Sequence, residues 1–567
     1  MTSPLAIPSM ECLRDMRQTS GVHRRTFLKL LAVGVPGAAA AITVARNAGH
    51  WLPPRDALHQ VVLQELAGFT TWLEQNHVKG FIGEVGWPDN TDGDASDWNQ
   101  LAQAWFEAAD RSQLWVAGWA TGAWWEATYS LAMYRRENSE AGVDTPNTQA
   151  SVLEAHPSTN TYLRGIAVAG GSFSAATDEP TSDFSNVQRG TYDVDYHYDG
   201  AETYQYLAQR GLRLARIDFR WERIQPTPGG PLDEAELAHL DDAVASAGAA
   251  GLQVVLDLHN YGAYYLSDGR QGVRQAIGSP TISESHFADV WQRLSAHYQD
   301  NPNVVAYGLM NEPTDLPTLF DAQTRFADLD SSANGWQADN GGPEVLSRIS
   351  SPSHGGQFAL KIAREFPSAP GYGHMRVHDN GSTIHAPRDL SGAGDTLALW
   401  VYLPADTGGS TWQARLFVYG DRRSFDAASV PLQRGNWTQV TGQFTAEALK
   451  NVLAAGIQVY CNDVAGPAWI ALDGLAQGAQ RTPAQVWEAA SQSAVDSIRA
   501  NGDGKLIAVG GYGWSRVPSW AEQHSRAWIQ DPFDRIRYEG HHYWDRGRSS
   551  FYARPYADEL SSARSSA

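Results

Sequence analysis

Short apolar runs alternating with amphipathic stretches restrict what this chain can fold into more than any other feature. From Tyr162 the rhythm is regular. Strand candidates fall at residues 163–168, 212–217, 253–258, 304–310, 505–509 and 536–541, with helix candidates between most of them. The clearest helix covers 233–247, with Leu237, Leu240, Val244 and Ala247 on one face. Strands alternating with helices predict a parallel sheet with helical crossovers. Two further strand candidates, 78–85 and 113–119, lie nearer the N-terminus beside helical patterns (Leu58, Val62, Leu66, Phe69 and Leu73; then 98–109). Six strands alone would leave an open sheet, whereas six plus two supply the eight of a closed (β/α)8 barrel. The competing reading makes 57–157 a separate domain and leaves the sheet open.

One region breaks the rhythm. Between about residues 320 and 478 the helical periodicity vanishes and short strands take over, at 396–402, 413–419, 438–444, 457–460 and 468–472, separated by Gly- and Asn-containing turns. That pattern predicts a β-sandwich of the jelly-roll kind. It is inserted whole, because a helix pattern resumes at 483–499. The polar stretch 135–159, rich in Glu and Asn, reads as a linker.

With 42% hydrophobic and 19% charged residues the composition is that of a globular protein. A net charge of -20 would repel nucleic acid or an anionic membrane, but leaves a neutral polymer open as a partner. The two cysteines, Cys12 and Cys461, exclude the usual zinc and thiol ligand sets, so no cofactor is expected. At the N-terminus His23-Arg24-Arg25-Thr26-Phe27-Leu28-Lys29 precedes a weakly apolar run, 30–45, interrupted by Pro36 and Gly37. The run is short of the ~20 apolar residues that span a bilayer. An arginine pair in that setting resembles a twin-arginine export signal. That route carries folded protein, which suits a chain with no disulfide to form outside. A secreted monomer free of the membrane after signal removal is expected.

Five strand ends present polar residues suited to sugar hydrolysis. The most specific is Tyr307-Gly308-Leu309-Met310-Asn311-Glu312-Pro313, an apolar strand ending in a carboxylate beside an amide, stopped by proline. A Glu so placed can be desolvated and its pKa raised until it can donate a proton. The others are Gly80-Phe81-Ile82-Gly83-Glu84-Val85-Gly86-Trp87, Arg216-Ile217-Asp218-Phe219-Arg220-Trp221, Asp257-Leu258-His259-Asn260-Tyr261 and Tyr538-Glu539-Gly540-His541-His542-Tyr543-Trp544.

In this order, and with Arg164-Gly165-Ile166 opening the series, the motifs resemble glycoside hydrolase family 5, the cellulase family. The likeness covers most of 57–315 and 480–545. One departure is instructive. In the family a second Glu follows on the strand after the His/Tyr strand, and the residues after Trp544 hold no such strand. The expected helix and strand stand instead near the N-terminus, leading into Gly83-Glu84-Val85-Gly86, with Val116-Ala117-Gly118-Trp119 as the last family strand. The resemblance therefore implies a circularly permuted barrel. Residues 1–48 are the signal, 49–134 the seventh and eighth strands, 135–159 the linker, 160–319 the first to fourth strands, 320–478 the insert and 479–567 the fifth and sixth.

Residue by residue, the resemblance implies a retaining double displacement, with Glu84 as nucleophile and Glu312 as acid/base. Arg216 and Tyr543 would hold Glu84. Asn311 suits the sugar 2-hydroxyl, and His259, Asn260 and His541 would bind hydroxyls or support Glu312. Trp119 would floor the reacting sugar, and Trp514 is a further stacking candidate. Glu539 is a rival nucleophile by proximity, but its place mid-strand, two residues before His541, sets it aside in favour of Glu84. Strand alternation sends only one of His541 and His542 inward, and the motif favours His541. Asp218 stands where the family usually has proline.

The insert resembles a carbohydrate-binding module, through Ser331-Ser332-Ala333-Asn334-Gly335-Trp336 at its start and Trp469-Ile470-Ala471-Leu472-Asp473-Gly474 at its end. A purely structural insertion is nearly as good a reading. A bound calcium would suit such a module, although no run of ligands marks it. The expected function is an endo-β-1,4-glucanase acting on a β-linked polysaccharide. An exo-acting β-glycosidase, a hydrolase of mannan or xylan, and a non-catalytic carbohydrate-binding protein are the alternatives.

Overall fold

Eight buried strands form the centre of the molecule: β1 (Lys79–Gly86), β2 (Trp115–Thr121), β3 (Arg164–Val168), β4 (Leu214–Phe219), β5 (Gln253–Leu258), β6 (Val304–Gly308), β7 (Leu506–Gly510) and β8 (Ile536–Tyr543). This computed structural model describes residues 55–566 apart from 90–91, 127, 140, 174–183, 328, 330–334, 422 and 547–550. The expected signal, and Ser331 to Asn334 of the insert motif, lie outside the described residues. Each strand pairs in parallel with the next in sequence, and β8 pairs with β1, so the sheet closes on itself. Closure by β1 and β2 removes the reading in which 57–157 stands apart.

The strands are apolar along almost their whole length because a parallel barrel is covered on both faces. Around it lie α1 (Ala57–Gln75), α2 (Ala95–Arg111), α3 (Ala150–Ala155), α4 (Ala201–Gln209), α5 (Glu234–Ala249), α6 (Glu284–Tyr298) and α7 (Pro483–Ala500). On α1 the buried residues Leu58, Val62, Leu66, Phe69 and Leu73 recur at helical spacing. The start of α7 is fixed by a capping box, in which Thr482 and Gln485 exchange side-chain and backbone hydrogen bonds.

The stretch read as a linker is built more tightly than its polar composition implies. Tyr134–Arg135 pairs antiparallel with Thr145–Pro146, and α3 buries Val152 and Leu153 against the barrel. Gln149 donates to the carbonyls of Trp87, just past β1, and Ser130, in the loop after β2, at 2.9 and 2.8 Å, tying this crossover to the barrel.

The insert is a β-sandwich rooted on an antiparallel pair, Leu319–Ala327 against the end of Ala454–Arg481, with Leu319 opposite Arg481. Two long strands, Ala359–Asp379 and Ala454–Arg481, run through both layers. Leu360, Ile362, Leu399, Val401 and Leu472 face Met375, Val377, Leu416, Ile457 and Val459 in a core separate from that of the barrel. Arg481 also bonds Glu284 of α6 at 2.7 Å, fastening the root to the barrel wall.

Candidate active site

The C-terminal ends of the barrel strands converge on Arg216. Its side chain, fully buried on β4, donates to Glu84 Oε1 at 3.1 Å and to Asn311 Oδ1 at 2.7 Å. The same guanidinium lies 3.0 Å from Asp257 and 3.2 Å from Glu539. Burial alone would pull its pKa down, but Asp257, Glu539 and Glu84 outweigh that and hold it above the ordinary arginine value. A cation this enclosed is stable only because carboxylates surround it.

Glu84, at the end of β1, receives a second hydrogen bond from the Tyr543 hydroxyl at 2.6 Å. Glu312 stands opposite, just after β6, with a backbone φ of 46° that turns it out of the strand direction. One carboxylate oxygen of Glu84, one of Glu312 and a ring nitrogen of His541 all lie within 4.8 Å of one another. Retaining double displacement calls for carboxyl groups roughly 5–5.5 Å apart, and inversion for about 6.5–9.5 Å. The spacing therefore suits direct attack by a carboxylate rather than by an interposed water.

His541 Nδ1 meets Glu312 Oε1 at 2.9 Å and Glu84 Oε2 at 3.5 Å, while its Nε2 meets Glu539 Oε1 at 3.4 Å. Burial would lower this imidazole's pKa, yet Glu84, Glu312 and Glu539 raise it to about 10. His259 contrasts with it. Its Nδ1 faces Asp257 at 2.8 Å, its Nε2 accepts from Asn311 Nδ2 at 3.0 Å, and burial lowers its pKa to about 4. Trp119, at the end of β2, stacks on His259 with centroids 5.7 Å apart and donates Nε1 to Tyr129 at 2.9 Å. Trp514 is 39% exposed and lies 5.8 Å from the Tyr261 ring, at the rim rather than the floor.

One expectation needs correction, and the rejection of Glu539 as nucleophile gains a structural reason. Asn260 does not face the cleft: it is fully buried, accepts from the Trp221 backbone and donates to Glu222 and to the Ala263 carbonyl, so it fixes the loop after β5. Glu539 is not open to a ligand as a rival nucleophile would be, being 2% exposed beneath His541 and bound to Arg216. His542 points outward, accepting from Trp105 Nε1 at 3.0 Å. Asp218 accepts from the backbones of Gly170 and Gly171 and from the Ser172 hydroxyl, pinning the loop after β3, and burial raises its pKa.

The layer of Asp257 and Glu539 beneath the two histidines was not singled out from the sequence. Its signal was there: a carboxylate two residues before a histidine on each strand, a spacing that places both side chains on one face. An aromatic group of Trp125, Tyr129 and Phe173 beside Trp119 was also missed, because it comes from loops of no regular period.

Residues 176–333 match the family model described as Cellulase (glycosyl hydrolase family 5). That stretch carries Arg216, His259, Asn311 and Glu312. A manganese-dependent endoglucanase, Eg5A, of Phanerodontia chrysosporium is 30% identical over 183 residues, 32% of this chain and 40% of that protein. Endo-beta-1,4-glucanase B of Aspergillus niger is 29% identical over 141 residues, 25% and 39% of the two chains. The matched part thus spans less than half the length of these relatives. Endoglucanase Cel5A of Pseudomonas stutzeri, 19% identical over 69% of this chain and 64% of its own, superposes with a TM-score of 0.34. That likeness is loose, and the barrel stands on the strand pairings above.

Proposed function

On the premise that this chain is a cellulase-like protein of glycosyl hydrolase family 5, we propose that it hydrolyses β-1,4-glucan with retention of anomeric configuration. The observation that carries the proposal is the Glu84–Glu312 pair, whose oxygens approach within 4.8 Å of each other and of a His541 ring nitrogen. Glu84 attacks the anomeric carbon while Glu312 delivers a proton to the leaving oxygen, giving a glycosyl-enzyme. Glu312 then takes a proton from water, which displaces Glu84. Arg216 and Tyr543 hold the two oxygens of Glu84 apart, so one lone pair faces the sugar. Asn311, oriented by Arg216 and His259, is placed for the 2-hydroxyl, and Trp119 for the ring's apolar face.

The barrel is a circular permutation of the family's. The strand of Glu84 precedes the Arg216 strand in sequence yet lies next to the His541 strand in space, which supports this reading. The similarity to endoglucanases, one of them an endo-beta-1,4-glucanase, favours β-1,4-glucan over mannan or xylan. The sandwich acts as a carbohydrate-binding module beside the cleft, and the twin-arginine leader exports the chain. Among the described residues no helix is long and apolar enough to cross a membrane.

The test is reducing-sugar release from β-glucans, mannans and xylans by wild type, Glu84→Gln and Glu312→Gln. Loss of turnover in both variants on the substrate that wild type cleaves is expected. A fully active Glu84→Gln would remove both the permutation and the mechanism, and a wild type inert on every glycan would favour a binding protein.

A further inference from the structure

The double displacement leaves two buried carboxylates without a step, Asp257 and Glu539, exposed by 0% and 2%. They are arranged alike. On β5, Asp257 contacts His259; on β8, Glu539 contacts His541; Arg216 of β4 lies between the two pairs and touches both acids. The far ends of the two rings differ. His259 Nε2 accepts from the Asn311 amide, so that ring serves as a neutral relay. His541 Nδ1 faces Glu312 and Glu84, and its Nε2 faces Glu539, so only a ring protonated at both nitrogens can donate to all three.

The neighbouring strand is shaped to admit Glu539. Along β1 and β8, Ile82 pairs with Gly540 and Glu84 with His541, which leaves Gly83 as the extra residue of a bulge. A Cβ built on Gly83 would collide with the Glu539 carboxylate. Glycine immediately before Glu84 is therefore the space in which Glu539 sits.

We propose that Glu539, seated in the bulge at Gly83, is a positioning residue that fixes His541 as a doubly donating cation between Glu312 and Glu84. It touches no substrate and acts only through the imidazolium. Among the described residues the charged groups that act on that ring are Glu84 from β1, Glu312 after β6 and Glu539 on β8 itself, with Arg216 of β4 and Asp257 of β5 behind them. Removing Glu539 leaves the ring two carboxylates on one side and none on the other. The imidazole then releases its Nε2 proton more readily, and Glu312 loses a fixed partner.

For its kinetic half the inference rests on the hydrolase reading above, so the experiment has two readouts. Glu539→Gln keeps the volume and can still accept from Arg216, and Gly83→Ala crowds the same carboxylate without deleting its charge. The first readout is an imidazole NMR titration of isotope-labelled histidine, with the His541 signal assigned by its loss in His541→Gln. The wild-type ring is expected to stay charged through about pH 8, with a midpoint lower by about one unit or more in Glu539→Gln. An unchanged midpoint overturns the proposal whether or not the protein cleaves any glycan. The second is kcat and KM against pH on a soluble β-1,4-glucan. In both variants kcat is expected to fall about 10-fold near pH 8 while KM stays within about twofold, with the alkaline limb moved towards neutrality. A loss equal at every pH would make Glu539 a structural group only and would also overturn it. A wild type that turns over nothing counts against the hydrolase and leaves the titration to decide Glu539.

Discussion

The Tyr543 hydroxyl donates to Glu84 Oε2 at 2.6 Å from a ring whose own ionisation burial pushes well above the ordinary tyrosine range. The phenol is thus a permanent donor at any pH the protein tolerates. A hydrogen bond to a charged group is worth about 1.5–3 kcal/mol, which converts to roughly 10- to 100-fold in rate. Tyr543→Phe should lower kcat on β-1,4-glucan by that factor and leave the fold intact. Undiminished kcat in this variant would separate Tyr543 from the reacting carboxylate.

The two histidines give stability opposite dependences on pH. His541 is charged in the folded chain up to about pH 10 but, unfolded, only to about 6.5. Its contribution is complete below about pH 6.5 and is lost as pH rises through about 10. Asp257, raised by burial against the pull of Arg216, acts in the same direction, because the unfolded acid has already released its proton. His259, lowered by burial to about 4, is neutral in the fold while still charged unfolded, so it costs stability below about pH 6.5 and the cost disappears above it. Thermal melts should show the melting temperature falling between about pH 7 and 10 in wild type, and falling less in His541→Gln. Equal alkaline slopes in the two proteins would mean that His541 is not held as a cation.

What could be read from the sequence follows from where the residues lie along their strands. Glu84, His259, Asn311, Glu312, His541, Tyr543 and Trp119 each sit near or just past the end of an apolar strand, with Arg216 inside its own, and a closed barrel gathers such ends at one mouth. Alternation sends His541 inward and His542 towards Trp105. The two-residue spacing of Asp257 and Glu539 from their histidines is local, but that both acids share one guanidinium is legible only once β4, β5 and β8 surround Arg216. Asn260 reads, beside His259, as a substrate-binding or supporting residue, and only the turn after β5 reveals that its amide faces Glu222. In 135–159 the polar residues mask Val143, Val152 and Leu153, whose burial makes that stretch part of the barrel wall.

Trp119 and Trp514 are expected to fail differently. Trp119 is 6% exposed against His259, so its ring is part of the floor on which a reacting sugar would be held. Trp514, at 39%, can offer a stacking contact only to a chain that extends along the rim. An aromatic contact of about 0.5–1.5 kcal/mol corresponds to roughly 2- to 12-fold in affinity. Trp514→Ala should raise KM for polymer by that amount with kcat nearly unchanged, and Trp119→Ala should lower kcat on short and long substrates alike. Steady-state kinetics on a cello-oligosaccharide series separates the two. Identical losses for both variants at every chain length would remove the distinction between floor and rim.

The sandwich should be removable without loss of the barrel. Leu319 and Arg481 are register partners in an antiparallel pair, so the chain enters and leaves the insert at neighbouring points. The sandwich core shares no residue with the barrel core. Replacing 320–480 by a two-residue Asn-Gly turn closes that antiparallel pair as a hairpin, and shortening a loop lowers the entropic cost of closing it. The shortened protein should therefore fold and cleave soluble oligosaccharides at a rate within about threefold of the full chain, since among the described residues the hydrogen-bond partners of Arg216, Glu84 and Glu312 all belong to the barrel. If the sandwich binds glycan, activity on insoluble polymer falls while activity on oligosaccharide holds; equal activity on both assigns it a structural role. An unfolded product would show that the Arg481–Glu284 contact at the root, and not only strand pairing, is needed to complete the barrel wall.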